Sequence, residues 1–86
     1  NARFTHAFVV GRGEDCAVRI PDQMVSRHHL AIFPEEGRWW VRDLQSSNGT
    51  LVNGQRIDKL PLASTTTLEL GPQGPRLRVI APTPPP

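Results

Sequence analysis

Four short segments place polar side chains directly before or after apolar stretches, where a folded chain has loops. They are Gly11-Arg12, Ser26-Arg27-His28-His29, Ser46-Ser47-Asn48-Gly49-Thr50 and Asn53-Gly54. Arg12 and Arg27 carry guanidinium groups, Ser26 and Ser47 carry hydroxyls, and Asn48 carries an amide. These segments contain no carboxylate, and charge-assisted hydrogen bonds from such donors suit a phosphate dianion. The residue types therefore predict a site for a phosphate group that holds two arginines and no carboxylate.

Each segment by itself is also typical of an ordinary surface turn. His29 begins an apolar stretch, so a structural histidine bound by backbone groups is the simpler interpretation than a ligand or a base. His28 then points to the opposite side of the chain and is expected to be exposed. Only the combination of segments, not any one of them, favours a functional site.

The elements that position these loops are predicted to be short strands. Apolar, aromatic or alternating residues indicate strands near residues 8–10, 29–33, 38–44, 51–52, 66–70 and 77–80. Turns are predicted at Pro34–Gly37, at Asn53-Gly54 and at Gly71–Pro75, and Asn-Gly is typical of a type I′ hairpin turn. No stretch keeps a helical apolar period, and the nine prolines oppose helices. The pattern predicts an all-β sandwich or barrel.

The order of the four segments resembles the forkhead-associated (FHA) family. The resemblance runs from about Val9 to Ile80, because Gly-Arg, Ser-x-x-His, Ser-x-Asn-Gly-Thr and Asn-Gly follow one another with the family's spacing. It implies a two-sheet β-sandwich of mostly antiparallel short strands, whose loops at one end bind phosphothreonine. The implied function is a phosphopeptide-binding module that recognises phosphothreonine on partner proteins in Ser/Thr kinase signalling.

The resemblance also implies roles for single residues. Arg12 and Ser26 match the residues that bind the phosphate, and Ser47 matches a hydroxyl residue that assists them. Arg27 matches a position that contacts the phosphate or the peptide backbone. Asn48 matches the asparagine that binds the main chain of the ligand and so sets its direction.

Other matching positions shape the loops rather than touch the ligand. They are Gly11, His29, Gly49, Thr50 and the turn residues Asn53 and Gly54. At the front the chain departs from the family, which has a first strand and more residues before its Gly-Arg than the ten that precede Gly11 here. The first strand is therefore expected to be missing or very short, which leaves the pairing of the final strand open.

The length of 86 residues predicts one domain. We expect an FHA domain over residues 1–80 and a proline-rich linker or tail over residues 81–86 that leads to further domains of the same parent chain. The alternative to phosphopeptide binding is an FHA fold that makes phosphorylation-independent protein contacts. The presence of Arg12, Ser26 and Asn48 favours the phosphate-dependent interpretation.

Enzyme, metal and nucleic-acid functions are not expected. Ser26 and His29 with Asp43 lack a nucleophile elbow, and groups so close on one loop rarely form a nucleophile–base pair. The spacing of the histidines and Cys16 is not that of a metal site, and no cofactor is predicted. The net charge of +2 is small, and Trp39 and Trp40 would face opposite sides of a strand instead of stacking on bases together.

The location is predicted to be cytoplasmic. Cys16 is the single cysteine, so no internal disulfide can form. No apolar run is long enough to span a membrane, and direct membrane contact is not expected. The parent protein could still be attached to a membrane.

Overall fold

The structure is a computed structural model that describes residues 6–81 and consists there of strands joined by loops and turns. The strands are β1 (Phe8–Gly11), β2 (Val18–Arg19), β3 (Leu30–Glu35), β4 (Arg38–Asp43), β5 (Thr50–Val52), β6 (Gln55–Ile57), β7 (Lys59–Pro61), β8 (Thr65–Leu70) and β9 (Arg76–Ile80). They form a five-stranded sheet in the order β2-β1-β3-β4-β7 and a four-stranded sheet in the order β6-β5-β8-β9. All pairs are antiparallel except β1 with β2. The predicted all-β fold with two mostly antiparallel sheets is confirmed.

The core forms where the apolar faces of the two sheets meet. In the first sheet Val10 pairs with Leu30 and Ile32 pairs with Val41, so these four side chains share one face of the sheet. In the second sheet, strand β8 alternates exposed and buried residues, as predicted from its sequence pattern. The core consists of Val10, Val25, Leu30, Ile32, Val41, Leu62, Leu68, Leu70 and Val79. This contact holds the strand ends, and the loops that leave them, at fixed positions.

Trp39 and Trp40 point to opposite faces of β4, as the alternation rule predicts. Trp39 packs against the core. Trp40 lies on the outer face, where its ring is 4.8 Å from the Lys59 ammonium. The two indoles therefore do not form a common stacking surface.

Two hairpin turns are of the kind that needs positive φ at both central residues. Asn53 and Gly54 have φ values of 52° and 77°, which bears out the predicted type I′ turn. Glu36 and Gly37 have similar values of 53° and 75°. The turn there is shorter than predicted, because Pro34 continues strand β3 and pairs with Trp39.

Three short strands were not anticipated from the sequence. Strands β2, β6 and β7 have only two or three residues each. Strand β6 is polar and mostly exposed, so its composition carries no strand signal. These segments are extended because a neighbouring strand offers backbone hydrogen bonds.

The final strand pairs with β8 over its whole length, from Glu69 opposite Arg76 to Thr65 opposite Ile80. Within residues 6–81 no strand lies on its other edge. This answers the question that the short N-terminus leaves open. Ala81 continues the contact, because its N–H donates to the Ser64 carbonyl at 3.1 Å. Residues 82–86, which hold most of the predicted linker, lie outside the described part of the chain.

Candidate functional site

Three loops meet at one end of the sandwich. Loop L1 (residues 12–17) follows β1, loop L2 (residues 20–29) precedes β3, and loop L3 (residues 44–49) joins β4 to β5. The Arg12 N–H donates to the Ser26 carbonyl at 2.9 Å and the Gly13 N–H to the Arg27 carbonyl at 3.0 Å, which join L1 to L2. The Ser47 N–H donates to the Ser26 hydroxyl at 3.0 Å, which joins L3 to L2. The predicted phosphate-binding residues are thus brought together.

The approach of L1 to L2 requires glycine at the end of β1. A Cβ atom on Gly11 would lie 2.1 Å from the Arg27 carbonyl oxygen, well inside van der Waals contact. Gly11 is buried, and its own carbonyl accepts the Ile20 N–H at 2.9 Å. A side chain at this position would push the two loops apart, which is a close-approach role typical of glycine.

Arg12 is exposed, but its side chain is held in place by a hydrogen bond. Its Nε donates to the Val25 carbonyl at 3.0 Å, which ties the side chain to L2. A long cationic side chain at the start of a loop is expected to project into solvent, and this bond instead holds part of it against the protein. Since a guanidinium has five N–H donors, this one bond leaves most of its donor capacity for a ligand.

His29 is fully buried and links L2 to L3. The Ser26 N–H donates to His29 Nδ1 at 3.1 Å. Because Nδ1 accepts, Nε2 must carry the proton, and it donates to the Gly49 carbonyl at 2.8 Å. Burial lowers the pKa of His29 below its usual 6.5, more strongly than the Gly49 carbonyl raises it. His29 is therefore a neutral bridging residue.

Asp43, at the end of β4, organises L3. Its carboxylate accepts hydrogen bonds from the Ser46 N–H at 3.1 Å, the Ser46 hydroxyl at 2.5 Å and the Thr50 hydroxyl at 2.8 Å. The Ser46 hydroxyl in turn accepts the Gly49 N–H at 2.9 Å. From the sequence, Asp43 was expected at most to orient a catalytic base, and Ser46 had no expected role. An Asp followed three residues later by Ser is the signal that indicates such a turn.

Asn48 is half-buried and points toward L2. Its Nδ2 donates to the Met24 carbonyl at 2.9 Å. An amide has a second N–H and a carbonyl oxygen, so this bond leaves Asn48 able to bind another backbone. The same contact holds L3 against L2.

An open pocket of about 660 Å³ lies on the L1 side of these loops. It is lined by Arg12, Gly13, Glu14, Asp15, Arg19, Arg27 and His28. The prediction that the site holds no carboxylate is therefore wrong, because Glu14 and Asp15 follow Arg12 around the pocket. Ser26, Ser47 and Asn48 are not among its lining residues. They lie at the junction of L2 and L3.

Asp15 is paired within this pocket. His28 Nε2 and Asp15 Oδ2 are 2.8 Å apart. The hydrogen bond with His28 is the largest of the effects that lower the pKa of Asp15 below its usual 3.8. His28 is exposed, as predicted, but its carboxylate partner was not anticipated. The positive charge of Arg27 contributes to the lowered pKa of Asp15 as well.

A β-sandwich whose end loops present arginine, serine and asparagine around an open pocket has the architecture of a protein-binding module. The FHA domain family model matches residues 8–71. The chain therefore belongs to the FHA family.

Similar proteins of known sequence and structure support the membership of this family. The ABC transporter ATP-binding/permease protein Rv1747 of Mycobacterium tuberculosis is 39% identical over 62 residues, which are 72% of this chain and 7% of the transporter. The crystal structure of Rv1747 FHA-1 from the same organism has a TM-score of 0.82 and 31% identity, and covers 90% of this chain and 80% of that one. A structure described as a structural and functional analysis of phosphothreonine-dependent FHA domain interactions has a TM-score of 0.77 and 32% identity, with 96% and 82% covered.

This chain thus spans a small part of the full-length transporter but most of the isolated domain. An FHA domain is a binding module.

Among residues 6–81 there is no helix with the length and apolar character needed to cross a membrane.

Proposed function

We propose that this domain binds phosphothreonine segments of partner proteins in Ser/Thr kinase signalling, with the phosphate held between L1 and L2. The observation that carries the proposal is the shared pocket of Arg12 and Arg27, whose loops are held together by backbone hydrogen bonds. The similarity to a structure analysed for phosphothreonine-dependent FHA domain interactions supports the same ligand.

Arg12 is the proposed main phosphate contact. Its guanidinium can form two parallel charge-assisted hydrogen bonds to phosphate oxygens. Arg27 is exposed on the same pocket and adds a second positive charge. The three arginines of the pocket lining outnumber its two carboxylates, Glu14 and Asp15.

Ser26 and Ser47 lie at the junction of L2 and L3, outside the pocket lining, and are proposed to contact the phosphate from that side. The Ser26 oxygen already accepts the Ser47 N–H, so its own hydroxyl proton remains available for donation to a phosphate oxygen. Ser47 is exposed beside it. Asn48 is proposed to bind the peptide main chain with the amide groups that the Met24 carbonyl does not use.

We propose no catalytic activity. A Ser/His mechanism would need the Ser26 hydroxyl to donate to a histidine nitrogen. In the structure His29 Nδ1 accepts the backbone N–H of Ser26 instead, and Nε2 faces the Gly49 carbonyl. Both nitrogens are occupied by structural bonds, which supports a binding role.

A second candidate is phosphorylation-independent protein binding. It is favoured by Glu14 and Asp15 in the pocket lining, since carboxylates there oppose a phosphate. Titration of one peptide with and without phosphate on its threonine separates the two candidates. We expect binding only of the phosphorylated form, and equal affinities would favour the second candidate. A phosphothreonine peptide library then gives the preferred flanking residues.

We further propose that residues 1–80 form the binding domain and residues 81–86 a linker to other domains of the parent chain. The proline-rich composition of the linker supports this. A cytoplasmic location is proposed as well, and a membrane-attached parent is compatible with it. The similarity to part of an ABC transporter permease is in line with such a parent.

Phosphothreonine is expected to bind more tightly than phosphoserine. Burial of the extra methyl group contributes about 0.8 kcal/mol, which is roughly fourfold in affinity. A larger ratio would mean that the methyl group also fixes the side-chain rotamer of the ligand. Titration of two peptides that differ only in this methyl group measures the ratio, and equal affinities would contradict burial of the methyl group.

Affinity is expected to weaken as the pH falls from about 7 to about 5, because the second pKa of a phosphate monoester is near 6 and the arginines favour the dianion. The lowered pKa of Asp15 keeps this carboxylate ionised throughout that window, so its own titration does not contribute.

A variant with both Asp15→Asn and His28→Gln is the matched control for this pH series. It removes the imidazole without leaving an unpaired carboxylate in the pocket. The affinity of this variant for the phosphopeptide should fall as the pH drops and the phosphate becomes protonated. A flat profile in both proteins would show that phosphate charge does not drive binding.

A further inference from the structure

Three side chains with metal-ligand chemistry meet at the edge of the phosphate pocket. They are Asp15 and Cys16 in L1 and His28 in L2, and one donor atom from each lies within 4.8 Å of the other two. The spacing of Cys16 and His28 along the chain predicts no metal site. In the folded chain the two residues lie close together, and Asp15 lies beside both of them.

The backbone holds these residues in place without a metal. The Cys16 N–H donates to the Gly13 carbonyl at 3.2 Å, which turns L1 back on itself. The Cys16 thiol donates to the Arg27 carbonyl at 3.1 Å, directly before His28. The same L1–L2 crossing that shapes the phosphate pocket therefore positions the three donor groups.

We propose that Asp15, Cys16 and His28 bind a transition-metal ion of the Zn²⁺ class through a carboxylate oxygen, the thiolate sulfur and Nε2. One sulfur, one nitrogen and one oxygen ligand form a set that zinc accepts, whereas magnesium and calcium prefer oxygen alone. Metal–ligand bonds of about 2.0–2.3 Å in a tetrahedron place ligand atoms roughly 3.3–3.8 Å apart. Because the donor atoms lie within 4.8 Å of one another, side-chain rotations that move them by about 1 Å would give such spacing.

Binding exchanges existing contacts for metal bonds. The hydrogen bond from His28 Nε2–H to Asp15 opens, and the imidazole takes its other neutral form, with the proton on Nδ1 and Nε2 free to bind the metal. The thiol leaves the Arg27 carbonyl, and its proton is released to solvent. Three protein ligands leave the fourth position of a tetrahedral ion open to water or to an anionic oxygen. Because Asp15 and His28 both line the phosphate pocket, the ion would border that pocket.

The site is tested on the reduced, tag-free domain with Co²⁺ as a spectroscopic probe and with Zn²⁺ by calorimetry. We expect one metal ion per chain and a thiolate-to-cobalt absorption band that Zn²⁺ removes. His28→Ala should weaken Zn²⁺ binding by roughly tenfold or more, since loss even of a supporting partner costs tenfold to a hundredfold. Asp15→Asn tests the carboxylate in the same way.

His6→Ala is the matched control, because it removes an exposed histidine outside the cluster and should leave the affinity unchanged. Cys16→Ser should abolish the cobalt band. His28 and Asp15 are exposed, so their variants keep the test valid if loss of the buried Cys16 thiol disturbs folding. No saturable binding by the unmodified domain, or equal affinity of His28→Ala, would overturn the proposal.

A second measurement tests where the ion lies, and it rests on the proposed function. Zn²⁺ binding adds two positive charges and removes the thiol proton, a net gain of one positive charge beside the pocket. Affinity for a phosphothreonine peptide should therefore rise several-fold with one equivalent of Zn²⁺ and not in His28→Ala. An unchanged affinity would contradict the placement at the pocket. A peptide that binds in neither condition would count against the proposed function, while the metal titrations, which use no peptide, still decide the site.

Discussion

Arg12→Ala is expected to abolish measurable phosphopeptide binding while the domain remains folded. The variant loses a bidentate charge-assisted contact to the phosphate and one of the positive charges of the pocket. In the fold it loses the bond from Nε to the Val25 carbonyl, at a cost of about 1 kcal/mol. The backbone bond from the Arg12 N–H to Ser26 is kept. The melting temperature should therefore fall by only about 4–8 °C.

Two companion variants make this result specific. Arg12→Lys keeps the charge without the planar fork, so it should recover part of the affinity. Arg78→Ala removes an equal charge from an exposed position on β9 and should bind as the unmodified domain does. Peptide titrations and thermal melts on the three variants decide the outcome. Near-normal affinity of Arg12→Ala would mean that the phosphate site is misassigned and would favour phosphorylation-independent binding.

His29→Ala is expected to have the opposite effect, a large loss of stability. It removes a fully buried ring, and the cavity left behind adds to the lost packing. The Ser26 N–H loses its acceptor, at about 1–3 kcal/mol. The Gly49 carbonyl loses the His29 donor but keeps the Gly71 N–H at 2.9 Å. Since a small domain has a free energy of unfolding of only about 5–15 kcal/mol, the melting temperature should fall by more than about 10 °C.

The neighbouring histidine is the natural control. His28→Ala alters an exposed side chain, so its melting temperature should stay close to that of the unmodified domain. Chemical denaturation at pH 7, where burial keeps His29 neutral, gives the free energies of unfolding for both variants. If His29→Ala and His28→Ala proved equally stable, His29 would not be the link between L2 and L3 that the structure describes.

The effect of pH on the fold has a definite sign for His29. Because the pKa of His29 is lower in the folded state than its usual 6.5, the unfolded chain binds a proton first as the pH falls. The stability that neutral His29 contributes is therefore complete above about pH 6.5 and is lost as the pH drops toward the folded pKa. This loss adds to the weaker binding expected at low pH, so peptide titrations need a check that the domain is still folded.

Local sequence patterns were sufficient to predict the elements whose conformation depends on neighbouring residues. The alternation of β8, the apolar run of β1 and the type I′ turn at Asn53-Gly54 follow from side-chain direction and backbone φ preferences, which are properties of a few adjacent residues. The order of the Gly-Arg, Ser-x-x-His and Ser-x-Asn-Gly-Thr segments was sufficient to identify the family. The strands β2, β6 and β7 were not predicted, because a partner strand and not their own composition keeps them extended.

The sequence by itself determined the family, the all-β class and the donor groups that can meet a phosphate. Only the tertiary structure decided how L1 crosses L2, which places Asp15 against His28 and Cys16 and puts carboxylates in a pocket predicted to hold none. It also decided that the Arg12 side chain is tied to the Val25 carbonyl. The physical reason is that these contacts join residues far apart in the chain, and their distances are set by the packing of two sheets on a common core.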